Sequence, residues 1–158
     1  MKASILKKSL ISMIDSKIPV FVWGNPGVGK SSIIKQIAND KNIEFIDLRL
    51  SLLDPTDLRG IPFFDSANKS AIWAKPEFLP NSNSQAFGIL FLYEINSAPP
   101  TVQAAAYQLI LDRKIGEYTL PMNYAIVAAG NYESDRGVTY RMPTPLANRF
   151  IHLDFELD

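Results

Sequence analysis

The chain lacks several features that mark specialised classes of protein. It contains no cysteine, which excludes disulfide bonds, thiolate metal sites and thiol chemistry. Its 16 lysine and arginine residues balance its 16 aspartate and glutamate residues, which argues against a strongly basic surface for nucleic acid, although a local patch stays open. The apolar runs, such as Ile89 to Tyr93, are far shorter than the roughly 20 residues of a membrane-spanning helix, and the first residues lack a signal peptide's apolar core. We therefore expect a cytoplasmic protein with neither membrane nor nucleic acid as a partner.

The composition is that of an ordinary globular protein. The 158 residues are 47% hydrophobic and 20% charged, a profile typical of soluble domains that bury a substantial core. No internal repeat, low-complexity segment or second domain is recognisable in the sequence. We expect residues 1–158 to form one domain.

The octapeptide GNPGVGKS at positions 24–31 is the strongest functional signal. Glycine, four residues, then glycine, lysine and serine form the pattern of the phosphate-binding loop, or Walker A motif. The apolar run before it predicts a buried strand, and apolar residues at helical spacing after it predict a helix that begins at Lys30. Gly27 and Gly29 let backbone N–H groups turn toward phosphate oxygens at the positive end of that helix. The lysine can reach the β- and γ-phosphates, and the hydroxyl of Ser31 can ligate Mg²⁺. The predicted nucleotide-binding residues are Gly24, Asn25, Pro26, Gly27, Val28, Gly29, Lys30, Ser31 and Ser32.

The rest of the sequence alternates strands with helices. An amphipathic helix is expected over residues 2–15, with Ile5, Leu6, Leu10, Met13 and Ile14 on one face. Strands are predicted over 20–23, 43–50, 88–95, 124–129 and 150–155, a helix over 100–111, a hairpin at 115–120, and helical turns at 54–60 and 146–149. The stretch 61–86, rich in proline, asparagine and serine, is predicted to be irregular. This alternation predicts an α/β fold with a parallel sheet covered on both faces, and the most apolar strand, 88–95, is expected at its centre.

Two polar residues follow long apolar strands, at the sheet edge where nucleotide sites form. Glu94 could polarise a water for attack on the γ-phosphate, and the amide of Asn131 could hold that water. Each also has a structural interpretation, since Glu94 could cap the next helix and Asn131 could be an ordinary turn residue. His152, the only histidine, alternates with apolar residues in the last strand and is interpreted as structural.

Four motifs in order resemble the AAA+ ATPase core of the MoxR-like, dynein-related group. They are the phosphate-binding loop, LFLYEIN at 90–96, AAGN at 128–131 and LANRF at 146–150, and residues 54–86 resemble that group's insertion after the second strand. The resemblance implies a P-loop NTPase fold, a three-layer αβα sandwich with a mostly parallel five-stranded sheet, that binds ATP and Mg²⁺. It also implies that Glu94 is the catalytic carboxylate, Asn131 senses the γ-phosphate and Arg149 is an arginine finger for a neighbouring subunit. Arg136 and Arg141 are rival candidates for the finger.

The sequence departs from that family at two places. The family has aspartate then glutamate at the end of the central strand, and here the pair is Tyr93-Glu94. Tyrosine is neutral at ordinary pH and cannot supply the carboxylate that normally holds Mg²⁺, so Glu94 is a second candidate metal ligand beside Ser31. The sequence also stops just after the fifth predicted strand, so we expect the family's helical lid to be absent.

Two functions fit these observations. The first is an ATPase that, in its full-length form, assembles into a ring, expected to be a hexamer, and remodels an unknown protein partner by ATP hydrolysis. The second is a nucleotide-binding protein that hydrolyses ATP poorly and serves as an ATP-gated assembly module, which Tyr93 favours. A GTPase is discounted because Asn68-Lys69-Ser70-Ala71 lacks the aspartate of the guanine-reading motif. A small-molecule kinase would not explain Asn131 together with Arg149.

Overall fold

The structure, a computed structural model, describes residues 2–25, 27–131 and 144–156. Its helices are α1 (Ala3–Asp15), α2 (Lys30–Lys41), α3 (Pro55–Arg59), α4 (Pro100–Asp112) and α5 (Thr144–Ala147), with 3-10 turns at Leu50–Leu52 and Ile95–Ser97. Its strands are β1 (Val20–Trp23), β2 (Glu44–Arg49), β3 (Ile61–Asp65), β4 (Ser70–Ala74), β5 (Gly88–Tyr93), β6 (Lys114–Ile115), β7 (Tyr118–Thr119), β8 (Tyr124–Gly130) and β9 (Ile151–Asp154).

Five strands form one parallel sheet in the order β2-β5-β8-β1-β9. This arrangement confirms the predicted α/β fold. The expectation that the 88–95 strand is central is only partly right, because β5 is an interior strand and the middle strand is β8. Both strands are buried on both faces, so their apolar content alone could not tell one position from the other.

Helices cover both faces of the sheet, which makes a three-layer sandwich. On one face α1 and α2 pack through Leu6, Leu10, Ile34 and Ile37 against strand residues that include Val22. On the other face the cluster joins α3 and α4 to alternate residues of the same strands, such as Leu90, Leu92 and Ala128. Because side chains of a strand alternate between faces, each interior strand contributes to both cores.

The first helix has a narrower buried stripe than the sequence predicted. Leu6, Leu10 and Ile14, spaced by four residues, are the fully buried positions. Ile5, which the pattern placed on the apolar face, is 53% exposed. The stripe follows the i, i+4 row that faces the sheet, and Ile5 lies beside it.

The prediction that residues 61–86 are irregular is wrong for the first half of that stretch. β3 and β4 pair antiparallel as a hairpin, with Asp65 opposite Ser70. The Asp65 carboxylate accepts hydrogen bonds from the backbone N–H of Ala67 at 3.0 Å and from the side chain of Asn68 at 2.8 Å. This Asx-type turn chemistry closes the hairpin, and only residues after Ala74 run without regular structure up to β5.

The short hairpin predicted at 115–120 is confirmed as β6 and β7. Arg113, in the left-handed region at φ 56°, connects α4 to it. The Arg113 guanidinium donates hydrogen bonds to the carbonyls of Pro121 at 2.6 Å and Tyr124 at 2.7 Å, and burial lowers the pKa of this group. The hairpin is thereby tied to the start of β8.

Several predicted boundaries shift by one or two residues. The strands predicted at 43–50, 88–95 and 150–155 are each shorter at one or both ends, and the last helical turn is α5 rather than 146–149. Most of the polar loop predicted between β8 and that turn, including Arg136 and Arg141, lies outside the described residues. Among the described helices, none combines the length and the apolar character that crossing a bilayer requires.

Candidate nucleotide-binding site

The phosphate-binding loop connects β1 to α2 at the carboxyl edge of the sheet. Gly27 and Gly29 have φ of 81° and 95°, a left-handed backbone that residues with a Cβ rarely adopt. Gly24 is favoured for a different reason, since a Cβ there would be crowded at 3.0 Å from Val28 Cγ2 and 3.1 Å from the carbonyl oxygen of Phe155. Pro26, although part of the predicted set, lies outside the described residues. The loop therefore has the backbone conformation that the motif predicts at its described positions.

Lys30, the first residue of α2, is only 4% exposed. Its ammonium donates hydrogen bonds to the carbonyl oxygens of Gly24 at 2.8 Å and Asn25 at 3.0 Å, and to Oδ1 of Asn131 at 3.2 Å. The ammonium group thus lies inside the curve of the loop and beside the end of β8. Ser31 is half-buried and Ser32 exposed in the first turn of the same helix. The structure therefore brings together two predicted site residues, Lys30 and Asn131, that are 101 positions apart.

Asn131 is held by a residue that sequence reasoning did not select. The Asn96 side chain, 2% exposed, accepts a hydrogen bond from the Asn131 backbone N–H at 3.2 Å and donates one to the Asn131 carbonyl. A Cβ on Gly130 would lie 2.3 Å from Asn96 Oδ1 and 2.9 Å from Phe21 Cζ, so the close approach needs glycine. The available signal was a polar residue two positions after Glu94 in an otherwise apolar environment. Asn96 fixes the position of the predicted γ-phosphate sensor.

Glu94 lies directly after β5 with a left-handed backbone, φ 59°. Its carboxylate accepts a hydrogen bond from the Ser51 hydroxyl and lies 3.9 Å from Nε of Arg49. The side chain is 23% exposed, so water can reach it. Sequence reasoning missed both partners. Arg49 ends β2 and Ser51 lies in the turn that follows it, and only the pairing of β2 with β5 brings them to Glu94. These two partners hold the Glu94 side chain at the edge of the site.

Tyr93 packs against the core on the α2 face of the sheet. Its ring lies 5.8 Å from the ring of Phe91, nearly parallel, and the guanidinium carbon of Arg49 lies 5.1 Å from its centroid. A cation over an aromatic face is an attractive contact. The position that carries an aspartate in the resembled family is thus filled by a neutral ring with a cation above it.

Arg149 and His152 belong to the segment around the start of β9, the edge strand beside β1, and Arg149 precedes that strand at the amino end of the sheet. Arg149 is exposed in the turn after α5, and Phe150 next to it is buried. His152 accepts a hydrogen bond from the Trp23 indole at 2.8 Å through Nδ1, and its Nε2 pairs with the carbonyl of Ala147. These two contacts require the neutral tautomer with the proton on Nε2. The structural interpretation of His152 therefore holds, and its ring links the end of β1 to the segment that carries Arg149.

A divalent cation would find few anionic ligands at the end of β5. Ser31 offers a hydroxyl, but Tyr93 offers no carboxylate, and the carboxylate of Glu94 is already bound by Ser51 and faces a guanidinium. Within the part of the chain that the structure describes, no three His, Cys, Asp or Glu side chains cluster as a metal site. The residues present do not fit the usual Mg²⁺ arrangement of this motif.

Comparisons with known proteins agree with this fold. A family model described as "ATPase family associated with various cellular activities (AAA)" matches residues 19–152. The crystal structure of a candidate ATPase from Cytophaga hutchinsonii superposes with a TM-score of 0.66 at 22% sequence identity. The match covers 95% of this chain and 45% of that one, so this chain spans less than half of that protein, and at this identity the likeness concerns the fold. No curated protein sequence matches the chain.

Proposed function

The chain belongs to the AAA family of ATPases, whose model covers most of it, and from this premise we propose that it couples ATP hydrolysis to remodelling of a protein partner. The observation that carries the proposal is the Lys30 ammonium, held inside the phosphate-binding loop and against Asn131. A buried cation ringed by three oxygens is arranged for an anion that can replace them, and charge-assisted contacts to phosphate are strong. The motifs LFLYEIN and LANRF support placing the chain in the MoxR-like, dynein-related group.

We assign roles to the other site residues from the family resemblance, and their surroundings support the assignment. Glu94, with a water-accessible carboxylate, acts as general base toward the attacking water. Asn131, in contact with Lys30 and fixed by Asn96, senses the γ-phosphate. Arg149, exposed beyond α5, reaches the site of a neighbouring subunit in a ring and neutralises charge that develops on the phosphate. The partner protein is of unknown identity.

A second candidate function rests on Tyr93. A nucleotide-binding module with weak hydrolysis would need the phosphate-binding loop but not the metal-holding carboxylate. Tyr93 beneath Arg49 favours this function, because the family's aspartate orients the metal that neutralises charge during phosphoryl transfer. In that case ATP binding itself orders the interface between subunits.

One substitution separates the two functions. We expect the chain as written to turn ATP over slowly and Tyr93→Asp to raise the rate at least about tenfold in magnesium, because the carboxylate restores a metal ligand. The measurement is phosphate release at matched protein concentration, with and without magnesium, and Tyr93→Phe is the control that keeps the ring. Equal rates for the tyrosine and aspartate proteins would show that position 93 does not limit hydrolysis and would favour the first function for the chain as written.

A further inference from the structure

Arg49 is a charged residue of the site for which the proposed catalytic roles have no use. It is the last residue of β2, and its side chain is 54% exposed. Its guanidinium carbon lies 5.1 Å from the Tyr93 ring centroid, and its Nε lies 3.9 Å from Glu94 Oε2. The guanidinium therefore does not extend away into solvent but lies over the neighbouring strand.

The register of the sheet shows on which face the Arg49 guanidinium lies. Arg49 pairs with Tyr93, Tyr93 with Ala129, and Ala129 with Val22, so four adjacent strands place these residues in one row. Residues in register share a face of the sheet, and Val22, Ala129 and Tyr93 belong to the core beneath α2. The guanidinium thus lies on the face of the sheet that α2 covers. It extends from the edge strand β2 over β5, in the direction of β1 and the phosphate-binding loop.

The guanidinium of Arg49 is opposite in charge to the carboxylate that a metal site needs at position 93. A carboxylate attracts a divalent cation, whereas a guanidinium at the same strand end repels a cation and attracts an anion. Arginine also presents several N–H donors in a planar fork that matches phosphate oxygens. The guanidinium over the end of β5 is therefore suited to a phosphate group.

The present contacts of Arg49 are ones that a phosphate could replace. The contact with Glu94 is single and at 3.9 Å, and Glu94 keeps its hydrogen bond from Ser51 if the guanidinium moves. Asp47, two residues earlier on β2, also interacts electrostatically with Arg49, and Lys35 of α2 faces Asp47 as a second cation. Arg49 therefore makes several weak contacts in place of one strong ion pair.

We propose that Arg49 is a direct ligand of the nucleotide's terminal phosphate and that the site takes a nucleoside triphosphate free of divalent cation. The proposal rests on the nucleotide-binding function above and defines the form of the ligand. Lys30 contacts the phosphates from the β1 side and Arg49 from the β5 side. The two cations together supply the neutralisation that a metal ion provides elsewhere.

The test is calorimetric binding of ATP and ADP to the whole chain in EDTA and in magnesium. We expect wild-type protein to bind ATP in EDTA within about threefold of its affinity in magnesium. Arg49→Gln should lower ATP affinity in EDTA at least about tenfold and ADP affinity less than about threefold, since only ATP has the third phosphate. Lys114→Gln, an exposed cation on β6, is the matched control and should change neither affinity.

Two results would overturn the proposal while leaving nucleotide binding intact. One is loss of wild-type ATP binding in EDTA with recovery in magnesium. The other is an Arg49→Gln protein that binds ATP in EDTA as tightly as wild type does. Arg49→Lys, which keeps the charge without the fork, should fall between wild type and Arg49→Gln, and thermal melting checks that each variant is folded. Failure of wild type to bind ATP or ADP in either buffer would overturn the nucleotide-binding function itself.

Discussion

The surroundings of Lys30 support its proposed role in binding phosphate. A lysine that is 4% exposed has given up most of its hydration, and here three oxygen atoms within 3.2 Å replace that water. Two of the three are backbone carbonyls of the loop itself, so the ammonium also holds the loop's curvature. A polyphosphate would add full negative charges to a cation that is already in place.

Replacing Lys30 with alanine should reduce ATP affinity at least about tenfold, a change of about 1.4 kcal/mol, because charge-assisted contacts to the phosphates are lost. Calorimetric titration measures the affinity, and far-UV circular dichroism checks the fold. Lys114→Ala is the matched control, because that lysine is exposed on β6 and has no part in the proposed site. Unchanged ATP affinity in the Lys30 variant would contradict the nucleotide-binding assignment.

A second prediction concerns the contribution of the Asn96 side chain to stability. It is 2% exposed and satisfies both the backbone N–H and the carbonyl of Asn131. Asn96→Ala leaves those groups without their partner, so we expect the free energy of unfolding to fall by about 1–3 kcal/mol. Urea denaturation measures the change, and Asn81→Ala at an exposed loop position is the control. A loss equal to that of the control would mean that water replaces the side chain at no cost.

The sequence predicts individual site residues better than it predicts their partners. Lys30 and Glu94 belong to short motifs in which local spacing is informative. Ser51 and Arg49 become site residues only because β2 pairs with β5, and no local pattern specifies that pairing. Contacts of this kind require the strand order, which neither periodicity nor composition supplies.

At the scale of elements, strong periodicity gave correct helices and strands, and turn chemistry decided the rest. The β3–β4 hairpin was missed because Pro62 and the adjacent Phe63-Phe64 interrupt the alternation that identifies a strand. What closes the hairpin is Asp65, whose carboxylate binds the turn. The β6–β7 hairpin, which was predicted at 115–120, turns at Gly116, whose φ of 57° lies in the left-handed region.

The β6–β7 hairpin should also make stability depend on alkaline pH. The Tyr118 hydroxyl donates a hydrogen bond to the Pro80 carbonyl at 2.6 Å, and burial raises the pKa of Tyr118 to about 12. Since the unfolded value is about 10, this contribution is complete below about pH 10 and is lost as pH rises toward about 12. Burial likewise raises the pKa of Tyr107, to about 12, so the comparison must isolate one phenol.

The contribution of the Tyr118 phenol is isolated by comparing wild type with Tyr118→Phe. The urea midpoint of each protein is measured at about pH 8 and about pH 11. We expect the variant to be less stable at the lower pH, because it lacks the hydrogen bond, and to lose less stability between the two pH values. Equal losses in both proteins would mean that the Tyr118 phenol ionises alike in the folded and unfolded chains. Tyr107→Phe in the same experiment shows how much of the remaining loss belongs to that second phenol.

At the scale of the whole molecule, the parallel sheet explains why distant motifs meet. Strands β1, β5 and β8 all end at the same edge, so the phosphate-binding loop, Glu94 and Asn131 converge there although they are far apart in sequence. Alternation of strands and helices was enough to predict this edge. The alternation did not predict that β8 rather than β5 is the middle strand, because the residues of both strands are similarly apolar and buried.

The arginine-finger role proposed for Arg149 requires a second copy of the chain. Arg149 lies in the turn between α5 and β9, and His152, through its contacts with Ala147 and Trp23, ties that segment to the end of β1. An arginine finger supplied in trans requires such a combination of an exposed side chain and a firmly held base. The same combination is consistent with a surface ion pair, so the distinction must come from assembly.

ATP hydrolysis should therefore rise faster than linearly with protein concentration, most measurably in the Tyr93→Asp background. Arg149→Ala should lower that rate by at least about a hundredfold at high concentration and leave ATP affinity unchanged, because a trans arginine acts on the transition state and not on binding. Arg141→Ala, assayed in parallel, tests the rival finger. Mixing Arg149→Ala protein with an excess of Lys30→Ala protein should restore activity, since each variant supplies what the other lacks at a shared interface. Activity proportional to concentration and indifferent to Arg149→Ala would leave Arg149 as a surface residue and remove the main reason to expect a ring.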